Sequence, residues 1–542
     1  NYYLSPAGSD AGGNGTPGNP WQTITAVRDY IRTLPSQSGD INVYLRGGRY
    51  EVTNTIAFSS ADSGMNGFYT TYQSYPGESA TLSGGKRVTG WAQVPGKPYW
   101  VASAPTNVGF ASYFRQLYVN GVRAERARSD WIVGSKYYWA VGTNYFYSTS
   151  TAGLTNVDGI AFATSAGLKS YSNVSDLRLL HIYSFRTDEF PITRMTTNSG
   201  LINVELQSPY CQTRYGMGYF NYNDEWMVVN AFEELDEPGE WYLNRNTQQV
   251  YYYPNSFEDM NTAVVYAPVV EGLVSLDGDS TTNPVQNLRF KGLTFEHGNW
   301  FYPRDYYLGG AEAEVLVHEV RPGVVYYSAE VPGTIRMKNT DGIQFVGNTI
   351  QHQANCGIHL YSGASDTLIQ GNVFNDLTAA AVLQYNIMAA TVTHDPLCTN
   401  TIVADNVMRN TGMDFMSATM VDVLGGYGFQ LVRNDMADCA YSGYHGSNQV
   451  QAPTNTQGAT FVASNRVTMA MGGSRYGVDD GGYVYTAYAQ PNSLIAGNDL
   501  YDINPGGNTW VMGFYQDNES MGIHWSDNVV RQVFPGIKGC NW

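Results

Sequence analysis

Charge is scarce in this chain. Asp, Glu, Lys and Arg make up 14% of its 542 residues, against roughly 25% in an ordinary soluble domain. Bases are the scarcer kind, 30 Lys and Arg against 47 Asp and Glu, for a formal net charge of −17. Nucleic acid is thereby excluded as a partner, because binding it requires Lys and Arg to displace counterions from phosphates. Anionic membrane surfaces are excluded on the same ground, and a polyanionic substrate is disfavoured. Long apolar runs are also missing. None approaches the roughly 20 residues of a membrane helix, so no membrane partner is expected. Cysteines number 5, and Cys211, Cys356, Cys398, Cys439 and Cys540 follow no metal-ligand spacing. No metal and no cofactor are expected. Cys398–Cys439 or Cys356–Cys398 could be bridged, with a set of buried thiols as the alternative.

Glycine and tyrosine are abundant, at 58 and 42 residues, with 21 Phe and 11 Trp. A hydrophobic content of 43% supplies a core and excludes disorder. Low lysine and a surface rich in Ser, Thr, Asn, Gly and Tyr point to a secreted, extracellular protein, expected to be a monomer. Neutral, hydroxyl-rich carbohydrate is the natural ligand of so many aromatic faces.

Helical periodicity is nearly absent, and a repeat organises the second half instead. Short β-rich segments end in an asparagine and restart on an apolar residue: FVGNTI at Asn348, IQGNVF at Asn372, IVADNVM at Asn406 and LVRNDM at Asn434. FVASNRV at Asn465, IAGNDL at Asn498 and HWSDNVV at Asn528 continue the series, at separations between 24 and 34 residues by subtraction. Units of that size, with Asn or Gly at each corner, are what a solenoid coil needs. Asn and Gly bend the chain through left-handed backbone at least cost, and asparagine side chains can bond the same position one coil away. The fold predicted is all-β: a right-handed parallel β-helix. Residues 1–88 read as its N-terminal cap and first coils, with helical spacing over Trp21–Thr33 to cover the open end. Residues 89–270 break the pattern with Tyr- and Trp-rich short strands and turns, including one at Asn246, and read as an inserted antiparallel, sandwich-like β domain. Residues 271–542 read as the main β-helix with the groove, interrupted by a second excursion from about Trp300 to Pro332.

The stretches FRQLYVNGVRAERAR (Phe114 to Arg128) and AFEELDEPGEWYLNRNTQQVYYYP (Ala231 to Pro254), together with the coils ending in GN, resemble secreted parallel β-helix glycosidases. Glycoside hydrolase family 141 is the nearest. The resemblance spans nearly the whole chain and implies a β-helix carrying a β insertion, with fucosidase- or xylanase-like activities in its range. It further implies an acidic residue in a DGG segment and another in a Tyr-x-Asp segment one coil later. VDDGGYVY (Val478 to Tyr485) and FYQDNES (Phe514 to Ser520) fit, with Asp480 and Asp517 at the acidic positions. Relatives carry a second acid directly after the latter, where this chain has Asn518 and then Glu519.

Glycoside hydrolysis needs two carboxyl groups across the scissile bond, one as acid and one as nucleophile or base. Asp480 and Asp517 are about one coil apart, and stacked coils lie about 4.8 Å from each other, so both side chains can enter one groove. Asp479 is the reserve candidate, because neighbours on a strand face opposite ways. His445 and His524 fall on coils flanking the pair and, with Tyr483 and Trp510, are the candidate sugar-binding residues. Asp414 and Asp422 rank below the pair. Two alternatives use the same fold. A polysaccharide lyase would need Ca²⁺ or bases; beyond residue 350 the only Lys is Lys538, and Arg475 is the one base candidate. A non-catalytic glycan-binding solenoid would need the aromatic faces alone.

Overall fold

A computed structural model describes the chain except residues 106–113, 142, 151–156, 184, 208–220, 301–306, 311–315, 322–323, 385–395, 448–456, 471–477, 479, 504–510 and 534–542. Three parallel strand ladders wind around one apolar core. The first ladder includes Gly333–Asp341, Cys356–Ser365, Val382–Gln384, Val421–Leu424 and Tyr444–Ser447, and continues into Gly481–Ala496 and Val511–Ser526. The last two strands are long enough to bend and run on into the second ladder, beside Gln430–Val432 and Phe461–Ala463. The third ladder runs from Gly48–Glu51 to Val529–Val533. Alternation along each strand sends Ile358, Val382, Val421, Val423 and Val484 into the core.

The asparagines stand at equivalent corners between the second and third ladders. Each one from Asn348 to Asn498 donates both its backbone N–H and its side-chain N–H₂ to the Oδ1 of the next, over 2.8–3.0 Å, ending on Asn528. The same amides also donate to the backbone of the preceding coil, as from Asn406 to the Ile369 carbonyl at 3.0 Å. Buried amides are therefore satisfied through one another, which is why the corner tolerates no gap. Asn406→Ala would remove the acceptor of Asn372's backbone and side-chain N–H groups and the side-chain donor to the Ile369 carbonyl, at about 1–3 kcal/mol for each buried group left unpaired. A fall of that order in the free energy of chemical unfolding is expected; an unchanged unfolding midpoint would mean the ladder is ornamental.

Helix Ile24–Arg32 closes the N-terminal end. Thr23 caps it by accepting the Ala26 N–H, and Ile24, Val27 and Ile31 are buried against the first coil. The antiparallel domain is rooted where Gly85–Val88 pairs with Val265–Pro268. Its largest sheet contains Glu225–Val229, Arg178–Tyr183, Arg186–Asn198, Leu201–Leu206 and Gly159–Ala163. The hairpin at Asn246 joins Glu240–Asn244 to Gln249–Tyr252. Strand Tyr307–Gly310 of the second excursion pairs antiparallel with Thr187–Glu189, so both excursions from the β-helix build one sheet.

The cysteine pairings considered above do not form. Cys356, Cys398 and Cys439 are buried and form no disulfide with one another; Cys398 contacts the Leu360 carbonyl and Cys439 those of Ala418 and Ser442. Cys211 and Cys540 lie outside the described residues.

Candidate active site

The outward face of the first ladder carries one row of register partners: Leu383, Asp422, His445, Tyr485 and Tyr515. Its early part is roofed by an apolar cluster of Trp300, Phe415, Leu383 and Leu424. Towards the later coils the row turns polar, and Asp480 and Asp517 flank it, both half-buried.

The two carboxylates are held by crossed tyrosines. Tyr485, from the coil of Asp480, donates its hydroxyl to Asp517 Oδ2 at 2.7 Å. Tyr515, from the coil of Asp517, donates to Asp480 Oδ1 at 2.9 Å. The two rings are register partners 4.8 Å apart, and both are buried. Each acid is thus fixed by the other's coil.

Local sequence explains the placement. Asp480 adopts left-handed backbone, φ 57°, which aspartate tolerates better than most side chains. The two glycines after it make room. A Cβ on Gly481 would lie 2.7 Å from the Tyr441 ring, and one on Gly482 would lie 2.8 Å from Tyr515 Cβ. Tyr441 uses that room to donate to the Asp480 carbonyl at 2.6 Å. At Asp517 the strand bulges. Ala487 pairs with Asp517 but Ala489 with Met521, so Asn518, Glu519 and Ser520 leave the ladder. Bulges re-aim side chains in this way beside functional sites. Asn518 turns back and donates to Asp517 from its backbone at 2.8 Å and its side chain at 3.2 Å. Glu519 is exposed.

His445 belongs to this constellation: its ring centroid lies 4.8 Å from that of Tyr485. Asp422 joins it, with Oδ1 2.8 Å from His445 Nδ1. Tyr483 does not. It lies in the core, where its hydroxyl donates to the Asp502 carbonyl at 3.3 Å. His524 does not either. It is exposed on the second ladder, opposite Leu494, beyond the bulge. Asp479 and Trp510, with the bases Arg475 and Lys538, lie outside the described residues. Tyr441 and Tyr515 had no individual signal in so tyrosine-rich a chain.

Asp414 serves a different place. It accepts from Gln116 and lies 3.9 Å from Arg126, beside a cavity of about 170 Å³ between the inserted domain and the β-helix. Arg115, Arg126 and Glu189 also line that cavity. Arg123 crosses the same junction to Asp376, 2.5 Å away, and to the Gln353 carbonyl. The Phe114–Arg128 stretch is therefore the seam that fixes the insertion on the solenoid.

Comparison with known proteins agrees with this architecture. Residues 96–255 match the family model of the GH141 insertion domain. The resemblance to family 141 read from the sequence thus holds for the domain that interrupts the β-helix. Across 98% of the chain the fold is similar to a solved structure titled "Glycoside hydrolase", with a TM-score of 0.78, 19% identity and 95% of that chain covered. A second similar structure is titled "The complex structure of XylC with xylose", with a TM-score of 0.49, 11% identity, and coverage of 96% of this chain and 69% of the other. No curated protein matches the sequence.

Proposed function

We propose that the chain is a glycoside hydrolase that cleaves a neutral polysaccharide or oligosaccharide, with Asp480 and Asp517 as its carboxyl pair. The GH141 insertion domain and the whole-length likeness to a structure titled a glycoside hydrolase support the class. The crossed Tyr–Asp pairs carry the assignment of the two acids. Asp517, accepting from Tyr485 and twice from Asn518, has the donor set of an ionised carboxylate and takes the part of nucleophile or base. Asp480 is the proton donor to the leaving oxygen. The enzyme acts outside the cell as a monomer, without metal.

The test is a panel of aryl glycosides and plant polysaccharides, read for reducing ends and for the ultraviolet absorbance of unsaturated uronates. Reducing ends without that absorbance, unaffected by EDTA, are expected. Unsaturated products that disappear with EDTA and return with Ca²⁺ would replace this reading with a lyase.

The tyrosines give a finer check. Tyr485→Phe and Tyr515→Phe each remove one hydrogen bond to a carboxylate, an interaction worth about 1.5–3 kcal/mol when one partner is charged. Each is expected to slow turnover about tenfold to a hundredfold. Wild-type kinetics in both variants would mean that neither tyrosine orients a reacting group.

A further inference from the structure

We infer that Asp422 is a positioning residue for the Asp480–Asp517 site, acting through His445 on Tyr485; this rests on the carboxyl-pair reading above. Asp422, His445, Tyr485 and Tyr515 are consecutive register partners in one outward row. Contact is continuous along it: 2.8 Å from Asp422 to His445 Nδ1, 4.8 Å between the His445 and Tyr485 rings, and 2.7 Å from the Tyr485 hydroxyl to Asp517.

Stability does not account for the first two members. Asp422 and His445 are fully buried, and an ion pair or hydrogen-bonded pair taken out of water seldom outperforms apolar residues of the same volume. Leu383 fills the same row one coil earlier, packed with Trp300 and Phe415, so the fold accepts an apolar residue there. Earlier in the row Arg336 and His359 are polar as well, but Asp422 and His445 are the polar members that lead without a break to Tyr485 and the two acids. Asp422 Oδ2 and His445 Nε2 are moreover buried without a hydrogen-bond partner among the described residues, which is unfavourable for any polar group. Burial pushes the Asp422 carboxyl above its ordinary range, by more than His445 pulls it down. Groups kept at such cost beside a reactive centre are characteristic of sites where geometry matters more than stability.

The bond to Asp422 fixes the imidazole plane, because a histidine held at Nδ1 cannot flip or rotate without breaking it. The fixed imidazole limits where the Tyr485 ring can lie, and that ring sets the hydroxyl on Asp517. A small misplacement at the end of such a row costs turnover far more than binding.

Two measurements test this on the full chain. The first is kinetic, on whichever aryl glycoside of the panel is cleaved. Asp422→Asn is expected to lower kcat about tenfold or more with KM within about threefold and the melting profile unchanged. The double variant D422L/H445L removes both buried polar groups, following the precedent of Leu383. It is expected to fold and to show the same kcat loss, which keeps the test decisive if Asp422→Asn alone fails to fold. The second needs no substrate: ¹⁵N NMR of the imidazoles, with the His445 signal assigned by its absence in His445→Gln. A protonated Nδ1 is expected in the wild type. Asp422→Asn and Asp517→Asn should both shift the His445 signal, while that of His524, on the neighbouring ladder, stays in place. Wild-type kcat in the double variant, or a His445 signal indifferent to Asp517→Asn, would overturn the inference. If the wild type cleaves no glycoside, the proposed function fails, and the NMR result still decides whether the row is coupled.

Discussion

Asp480→Asn and Asp517→Asn are each expected to lose about 10²-fold or more in turnover while melting as the wild type does. Loss of a general acid or nucleophile removes a group that acts in the transition state, whereas loss of a turn residue shows up as lost stability. The two outcomes separate cleanly here, because asparagine keeps the shape of aspartate. At position 480 it also keeps an oxygen for Tyr515 and tolerates the left-handed backbone. At position 517 its single oxygen can still accept from the Asn518 backbone, while its N–H₂ can donate to the Tyr485 hydroxyl oxygen, whose own proton is free to turn away. Only the ionisable carboxyl is gone. Asp479→Asn is the internal control and is expected to be milder. Should Asp479→Asn be inactive and Asp480→Asn active, the reacting acid is the neighbour. Near-full activity in both main variants would move the search to Asp414 and its cavity at the domain junction.

The β-helix was legible because one residue type solves two problems at its corner. Asparagine bends the backbone and supplies both halves of an interlocking amide ladder, so the ladder left a mark at every coil from Asn348 to Asn528. Asp480 was legible for a related reason: the glycines after it are demanded by Tyr441 and Tyr515, and sequence shows the demand as Asp-Gly-Gly. Faces were harder to read. Alternation decides them only while a strand stays regular, and here corners and bulges intervene. Tyr483 bonds the Asp502 carbonyl from the core, two residues from Tyr485, and the bulge after Asp517 separated His524 from the acids. Asp422 ranked low in the sequence because nothing local marks it. Its importance comes from sharing a row with His445, a register relation across 23 residues. The docking of Tyr307–Gly310 onto Thr187–Glu189 was invisible for the same reason. A pairing at such long range has no periodic signature, only two compatible edges.

Glu189→Ala is expected to be the most damaging single change to stability, at about 3–5 kcal/mol, the usual loss when one partner of a buried charge pair is removed. Glu189 sits in that docked sheet and binds three guanidiniums. Arg178 lies 2.5 Å away, Arg115 3.3 Å and Arg126 3.9 Å. Arg115 and Arg178 have side-chain exposures of 0% and 2%, so neither can turn to water when the carboxylate goes. Burial alone would push the Glu189 carboxyl up, but Arg178, Arg115 and Arg126 together hold it down to about 2. A carboxyl lowered from its ordinary 4.5 stabilises the fold above that value and stops doing so as the pH falls through about 2. Between those limits the wild type should therefore lose stability on acidification, and Glu189→Gln, which keeps the shape without the charge, should lose less. Trp226 and Trp241 are fully buried in the inserted domain, so the fluorescence difference between the protein and its Trp241→Phe variant during urea unfolding reads that domain apart from the other tryptophans among the 11 of the chain. Wild-type midpoints in Glu189→Ala, or equal acid sensitivity in Glu189→Gln, would show that the three arginines are neutralised by something other than this carboxylate. Partial unfolding seen by the tryptophans, with the rest of the β-sheet signal retained, would show that the solenoid holds without its insertion.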